Sequence, residues 1–218
     1  MDLTVLFDEF CRSIVRARGL DLQERKGNWT SAVKKSFERL GTRHGFSPFL
    51  NDNRRKSGSY LWDVAWCVED RARPRTPPSG AGIPGLTFPK RPYRRLALVA
   101  QVEWGRPGQR PRTAVYRRNL EEVFRDFYKL LDAKSQTKVM IYSSWQFPNQ
   151  GGPTGDFVSG FETLLADYAN HIAAEQYLFI EFNDTGRTIH GYQCKIPRRG
   201  PRHFNLRSVG HHGYPRTW

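Results

Sequence analysis

The stretch LALVAQVEWG, residues 96–105, decides the fold prediction, because it joins an apolar run to two hydrogen-bonding side chains. Leucine, alanine and valine fill its first half, and an apolar run of this kind predicts a buried β-strand. Gln101 and Glu103 follow two residues apart, and alternation along a strand places both on one face of the sheet. Because an unpaired carboxylate is costly to bury, this strand end is expected to face a partner that offsets the charge.

Apolar periodicity on both sides of this stretch predicts an α/β domain, in which helices flank a mixed central sheet. Four helices are predicted: an N-terminal one with its apolar residues between 3 and 15, one at 29–40, one capped by Asn119 and one capped by Asp156. Five strands are predicted, at residues 60–69, 94–104, 138–142, 176–183 and 187–196. We therefore expect a single domain over residues 1–196, with an irregular loop rich in proline and arginine at 71–92. Residues 197–218 lack periodicity and are predicted to form a basic, flexible tail.

The charge balance points to a polyanionic partner. The chain has 218 residues, with 35 Lys and Arg against 21 Asp and Glu, a formal net charge of +14. Such an excess of positive charge attracts polyanions, of which nucleic acid is the commonest. The alternative to nucleic-acid binding is that the charge only keeps the protein in solution.

Cysteine usage and apolar runs bear on the cellular compartment. The three cysteines lie far apart, which fits neither a disulfide framework nor a metal-binding motif and is typical of a reducing environment. No apolar run is long enough to span a bilayer, and the first residues lack the pattern of a signal peptide. We therefore expect a cytoplasmic protein without a membrane partner.

A second carboxylate is predicted to reach the same place as Gln101 and Glu103. Asp63 lies in the predicted strand 60–69, on the face that carries Ala65 and Cys67. Sequential strands are usually neighbours, so the three polar side chains are expected to converge. Two carboxylates at one spot repel each other, and Mg²⁺ (or Mn²⁺), which prefers a few carboxylates together with water and phosphate oxygens, would remove that repulsion. A purely structural aspartate is the alternative.

These motifs, in this order, resemble the PD-(D/E)XK nuclease superfamily, which has the restriction-endonuclease-like fold. The resemblance is carried by the stretches LWDVAW, LVAQVEWG, FRDFYKLL and KVMIY, and it covers roughly residues 28–145. The superfamily core runs helix, strand hairpin, helix, strand. The resemblance implies that Asp63 is the first metal ligand, that Gln101 and Glu103 form the (D/E)-x-K pair, and that Glu38 is a further acidic ligand on the preceding helix.

The chain departs from the superfamily pattern in one respect that affects catalysis. Gln101 stands at the acidic position and Glu103 at the position usually taken by lysine, so the strand carries no catalytic lysine. In some branches the following helix supplies that lysine, and Lys129 is then the candidate. Helical geometry turns Lys129 away from the apolar stripe of its helix, and an exposed Asp126–Lys129 ion pair is the alternative.

Basic runs are predicted to form a phosphate-binding rim, because most of them adjoin the two candidate strands. A solvated loop surface is the alternative. The predicted nucleic-acid-binding residues are Arg54, Arg55, Lys56, Arg71, Arg73, Arg75, Lys90, Arg91, Arg94, Arg95, Arg110 and Arg112.

Three functions follow from these patterns. The first is a metal-dependent endonuclease that hydrolyses phosphodiester bonds, of DNA in preference to RNA, in restriction or antiphage defence, as a homodimer or within a larger complex. The second is a nuclease-derived module that binds nucleic acid without cutting it. The third is a basic accessory subunit of a larger RNA or DNA machine.

Overall fold

A computed structural model describes residues 1–16, 26–50, 62–69, 93–104, 114–144, 154–183, 187–197 and 204–213. Within these ranges the chain forms four helices and seven strands. The helices are α1 (Leu3–Arg16), α2 (Lys26–Arg43), α3 (Ala114–Leu131) and α4 (Thr154–Asp167). The strands are β1 (Ser47–Leu50), β2 (Val64–Glu69), β3 (Tyr93–Glu103), β4 (Ser135–Ser143), β5 (Gln176–Asn183), β6 (Thr188–Lys195) and β7 (Arg207–Gly213).

All seven strands belong to one mixed sheet, in which they follow one another in sequence order. The pairs β3–β4 and β4–β5 are parallel, and the four remaining pairs are antiparallel. Parallel neighbours need a long crossover connection, and α3 and α4 provide the two that this sheet requires. The predicted α/β class, with helices around a mixed sheet, is confirmed.

Two helical layers cover the sheet, and β3 lies between them. Leu98 and Ala100 of β3 pack in the core formed with α1 and α2, whereas Val99 packs in the core formed with α3 and α4. A strand buried on both faces needs apolar side chains at nearly every position, which explains the unbroken run in β3.

Several element boundaries differ from the prediction. Strand β2 begins at Val64, so Asp63 lies in the bend just before the strand and not within it. Helix α3 begins at Ala114, which places Asn119 inside the helix and not at its N-cap. The hydroxyl of Tyr116 donates a hydrogen bond to Asp156 Oδ2 over 2.6 Å, and this contact holds the first turn of α3 against α4. Asp156 itself lies in the first turn of α4.

Two strands of the sheet were not predicted. Strand β1 has four residues, too few to show a period, and it pairs with β2. Strand β7 lies within residues predicted as a tail, and it pairs with β6. Its apolar content is low, so its place in the sheet depends on contacts with β6 and α1, which no local pattern reveals.

The three cysteines are buried and none forms a disulfide. Burial raises the pKa of the Cys67 thiol to about 11 and that of Cys194, which also lies near Glu162, to about 11. No helix in the described part of the chain is long and apolar enough to cross a membrane.

A buried ion cluster lies where β4 and β5 begin. Lys138 forms an ion pair with Glu175, and it also donates to the Leu131 carbonyl over 2.8 Å and to the Tyr177 hydroxyl over 3.3 Å. The second carboxylate oxygen of Glu175 lies 2.7 Å from His171 Nδ1. The side chains of Lys138 and Glu175 are 1% and 0% exposed, so solvent does not stabilise either charge.

The partners in this cluster decide the protonation of the carboxyl group. Burial by itself would raise the pKa of Glu175, but hydrogen bonds from His171 and Lys138 outweigh burial and hold that pKa below its usual value of 4.5. Because the folded pKa is depressed, the contribution of Glu175 to stability is present above the unfolded pKa and is lost as the pH falls through the folded pKa.

Replacing Lys138 with Met is expected to lower the free energy of unfolding by about 3–5 kcal/mol, because the substitution leaves Glu175 charged and buried without its main partner. Urea denaturation at neutral pH measures the loss. Lys134→Met, at an exposed position just before β4, is the matched control and should stay within about 0.5 kcal/mol of the wild type. Equal losses in the two variants would contradict a structural role for the ion pair.

Candidate active site

Asp63 is fixed against the end of β3 by two hydrogen bonds. Its backbone N–H donates to Gln101 Oε1 over 2.9 Å, and its carboxylate Oδ2 accepts the backbone N–H of Val102 over 3.0 Å. The predicted meeting of Asp63 with Gln101 is therefore confirmed. The carboxylate reaches along β3 to the residue that precedes Glu103, so the two acidic residues lie at the same strand end.

A lysine that the sequence patterns did not single out completes this group. Lys34 Nζ of α2 lies 2.7 Å from Asp63 Oδ1, and the two side chains are 14% and 20% exposed. One oxygen of Asp63 thus contacts an ammonium group and the other contacts the backbone of β3. The sequence offered one indication of this lysine, namely its position in the helix. Lys34 directly follows the buried Val33 and lies four residues before Glu38, the further acidic ligand that the resemblance implied.

Contacts at both ends of α2 hold Lys34 in place. Near the start of the helix, Trp104 Nε1 donates to Thr30 Oγ1 over 2.8 Å. Further along, Trp66 Nε1 donates to the Phe37 carbonyl over 3.0 Å. Gly41 permits this close approach, since a Cβ atom there would lie 2.7 Å from Trp66 Nε1. The helix is thereby tied to β2, which Asp63 directly precedes, and to the end of β3, which carries Glu103.

Gln101 and Glu103 point to the face of the sheet that α3 and α4 cover, because they alternate with Val102 and Trp104, which pack on the other face. Gln101 is 3% exposed, whereas Glu103 is half-buried. In the parallel register Glu103 lies beside Tyr142, and Tyr142 lies beside Glu181. Burial, with Glu181 nearby, raises the pKa of Tyr142 well above its ordinary value, so its hydroxyl stays protonated next to the site.

Lys129 does not join the group. Its ammonium forms an ion pair with Asp126 on the same helix and remains 40% exposed, which is the alternative that helical geometry favoured. Its backbone carbonyl accepts a hydrogen bond from Trp62 Nε1 over 3.2 Å. Helix α3 therefore helps to place the bend that holds Asp63, but the side chain of Lys129 lies beyond ion-pair distance of Asp63 and of Glu103.

Glu38 lies on the exposed side of α2, and its carboxylate has no ion-pair or hydrogen-bond partner within the described ranges. In the same ranges no three His, Cys, Asp or Glu side chains come together as a ready metal site. Mg²⁺, however, is usually bound through one or two carboxylates together with water and substrate phosphate. Asp63 and Glu103 are the carboxylates at this end of β3 that would serve as such ligands, once Lys34 turned away from Asp63 Oδ1.

Most of the predicted nucleic-acid-binding residues lie outside the described ranges: Arg54, Arg55, Lys56, Arg71, Arg73, Arg75, Lys90, Arg91, Arg110 and Arg112. Arg94 lies in β3, and nothing of its side chain is described. Arg95 is exposed and donates to Gln136 Oε1 over 3.3 Å near the start of β3, at the sheet edge opposite Asp63.

The basic runs follow or precede strand ends at two opposite edges of the sheet, where an edge is the row formed by neighbouring strand ends. Leu50 pairs with Val64, so the strand ends that flank residues 51–61 lie at the edge of Asp63, and β3 also ends there before residues 105–113. Glu69 pairs with Tyr93, so the ends that flank residues 70–92 lie at the opposite edge.

No family model, curated protein or solved structure matches this chain. The candidate site is therefore judged on its geometry.

A double-mutant cycle of Lys34→Met and Asp63→Asn is expected to give a coupling energy of about 1–3 kcal/mol, because the two groups are in contact and largely shielded from water. The matched cycle of Lys129→Met and Asp126→Asn should give less than about 1 kcal/mol, since the Lys129 side chain is 40% exposed and solvent screens its charge. Urea denaturation of the four proteins in each cycle measures both energies. Equal coupling in the two cycles would contradict the contact between Lys34 and Asp63.

Proposed function

We propose that this protein is a metal-dependent nuclease, in which Asp63 and Glu103 bind Mg²⁺ or Mn²⁺ and Lys34 supplies the cation that β3 lacks. The observation that carries the proposal is the position of the Asp63 carboxylate, which contacts Lys34 on one side and the backbone of β3 next to Glu103 on the other. In metal-dependent phosphodiester hydrolysis, carboxylates can bind the ion and an amine can stabilise charge on the phosphate, and Asp63, Glu103 and Lys34 offer these groups.

The order of elements around the site supports the same proposal. From α2 to β4 the chain runs through a helix, three strands paired antiparallel, a second helix and a strand parallel to the third. This agrees with the order expected from the resemblance to the PD-(D/E)XK superfamily, with one additional strand, β1. On that resemblance we propose DNA as the substrate and restriction or antiphage defence as the role, and the protein would act as a homodimer or within a larger complex.

Each residue has a distinct part in the proposed reaction. A bound metal ion would stabilise charge on the scissile phosphate and acidify the attacking water. Asp63 and Glu103 would hold the ion, and Glu103 would also orient the attacking water. Lys34, once it leaves Asp63, can donate a hydrogen bond to a phosphate oxygen and stabilise the negative charge there. Gln101, through its bond to the Asp63 backbone, keeps the bend in place.

A second candidate function is binding of nucleic acid without cleavage. Lys34 already neutralises Asp63, and Gln101 stands where the resemblance expects an acidic residue. Both features would suit a site that has lost its metal and kept its fold.

Asp63→Asn and Glu103→Gln are each expected to abolish cleavage of supercoiled plasmid in Mg²⁺, because each removes a charged metal ligand. Lys34→Met should slow cleavage at least about 100-fold, comparable with the loss of a general acid or base, and Lys34→Arg should recover part of that rate. Lys129→Met is the matched control and should cut at nearly the wild-type rate, since that ammonium is paired with Asp126. The cleavage rates of these five variants are measured on agarose gels, with Mg²⁺ and again with a chelator.

DNA binding in chelator should persist in every variant. Full activity in Asp63→Asn or Glu103→Gln would overturn the site. Binding without cleavage of any plasmid, single-stranded DNA or RNA by the wild type would favour the second candidate.

A further inference from the structure

The outer face of α2 carries a row of cations at the spacing of helical neighbours. Lys35, Arg39 and Arg43 lie four residues apart and are all exposed. A rise of 1.5 Å per residue separates their positions along the helix by about 6 Å each. We call these three residues the α2 row. Like charges at this spacing repel one another and weaken a helix, so the row carries a cost that a polyanion would remove.

Little within the protein neutralises the α2 row. Lys35 and Arg39 form no ion pair with any described residue. Arg43 Nη1 lies 4.0 Å from Glu9 of α1, but the arginine side chain remains 66% exposed, and Glu9 also contacts His44 over 2.7 Å. Glu38 is the one acidic residue of α2, and it has no partner among the described side chains.

Helix α3 offers a contrast on the other side of the sheet. Its exposed arginines, Arg117, Arg118 and Arg125, alternate with Glu121 and Glu122, and Arg118 Nε lies 3.2 Å from Glu122 Oε1. Two glutamates therefore offset part of the positive charge on the surface of α3, whereas no acidic residue lies within the α2 row.

The α2 row begins next to the candidate site. Lys35 directly follows Lys34, whose ammonium contacts Asp63. The start of α2 lies by Trp104, at the edge of the sheet where β3 ends, and its later turns lie by Trp66 of β2. The row therefore leads from the edge that holds Asp63 toward the edge where β2 ends and β3 begins, the strand ends that flank the basic residues 71–75 and 90–95.

We propose that the α2 row is a phosphate-binding track, which holds the backbone of the DNA substrate as it leaves the site formed by Asp63, Glu103 and Lys34. This inference rests on the proposed nuclease function and adds to it the surface that the substrate follows. The row would bind phosphate groups, so it contributes affinity and orientation and no sequence preference.

The test compares two triple variants in full-length protein that carries Glu103→Gln, so that binding is measured without cutting. One replaces Lys35, Arg39 and Arg43 with Gln, and the control replaces Arg117, Arg118 and Arg125 with Gln. Each is titrated with a short DNA duplex over a range of salt concentrations, and urea denaturation checks that both are folded. The logarithm of the association constant falls linearly with the logarithm of the salt concentration. The steepness of that line should decrease by about 0.9 for each phosphate that is no longer neutralised, so by up to about 2.7 for the α2-row variant. The control should leave it nearly unchanged.

The same triple variants without Glu103→Gln separate this inference from the proposed function. Replacement of the α2 row should raise KM for plasmid cleavage and leave kcat nearly unchanged. Cleavage by the wild type with equal slopes in the two triple variants would overturn the track and keep the nuclease. A smaller slope for the α2-row variant, with no cleavage by the wild type, would keep the track and overturn the nuclease. Absence of DNA binding at low salt would overturn both.

Discussion

Strand β3 has to be covered on both faces, because Leu98 and Val102 face one way and Val99 the other. This constraint accounts for the two helical layers: α1 and α2 shield one face, and α3 and α4, the crossovers to β4 and β5, shield the other. A strand buried in this way can carry polar groups only near its ends. The candidate site lies at one such end, where Asp63, just before β2, bonds to Gln101 and to the backbone of Val102, the residue before Glu103.

Two lysine–carboxylate pairs lie at opposite edges of the sheet, and their surroundings differ in an informative way. The ammonium of Lys138 has Glu175, a carbonyl and a hydroxyl as partners, and both charged groups are shut off from solvent. Such a closed set suits a structural role. The pair of Lys34 and Asp63 keeps some exposure, and Asp63 also accepts the backbone N–H of Val102, the residue before Glu103. In the proposed nuclease, Lys34 would leave Asp63 and a metal ion would take its place.

Helix α2 joins the core, the site and the outer surface within 18 residues. Val33 and Phe37 pack under the sheet, Lys34 turns toward Asp63, and Lys35 faces solvent. The turn of about 100° per residue makes these three directions available to adjacent positions. The two tryptophan hydrogen bonds, from Trp104 to Thr30 and from Trp66 to Phe37, set the rotation of the helix and thereby decide which of its lysines reaches the site.

Local pattern was enough to predict the α/β class, the buried strand at 94–104 and the proximity of Asp63 to Gln101, because strand alternation and the pairing of sequential strands follow from short segments. It was not enough for β1, β7 or the start of α3, whose formation depends on partners distant in the chain. The same limit applies to the cation. By sequence Lys129 and Lys34 are both lysines on amphipathic helices, and only the packing of α2 against β2 and β3 brings one of them to Asp63 while the other pairs with Asp126. Periodicity tells which face of a helix is buried, but the rotation and position of that helix on the sheet are set by contacts between segments far apart in the chain.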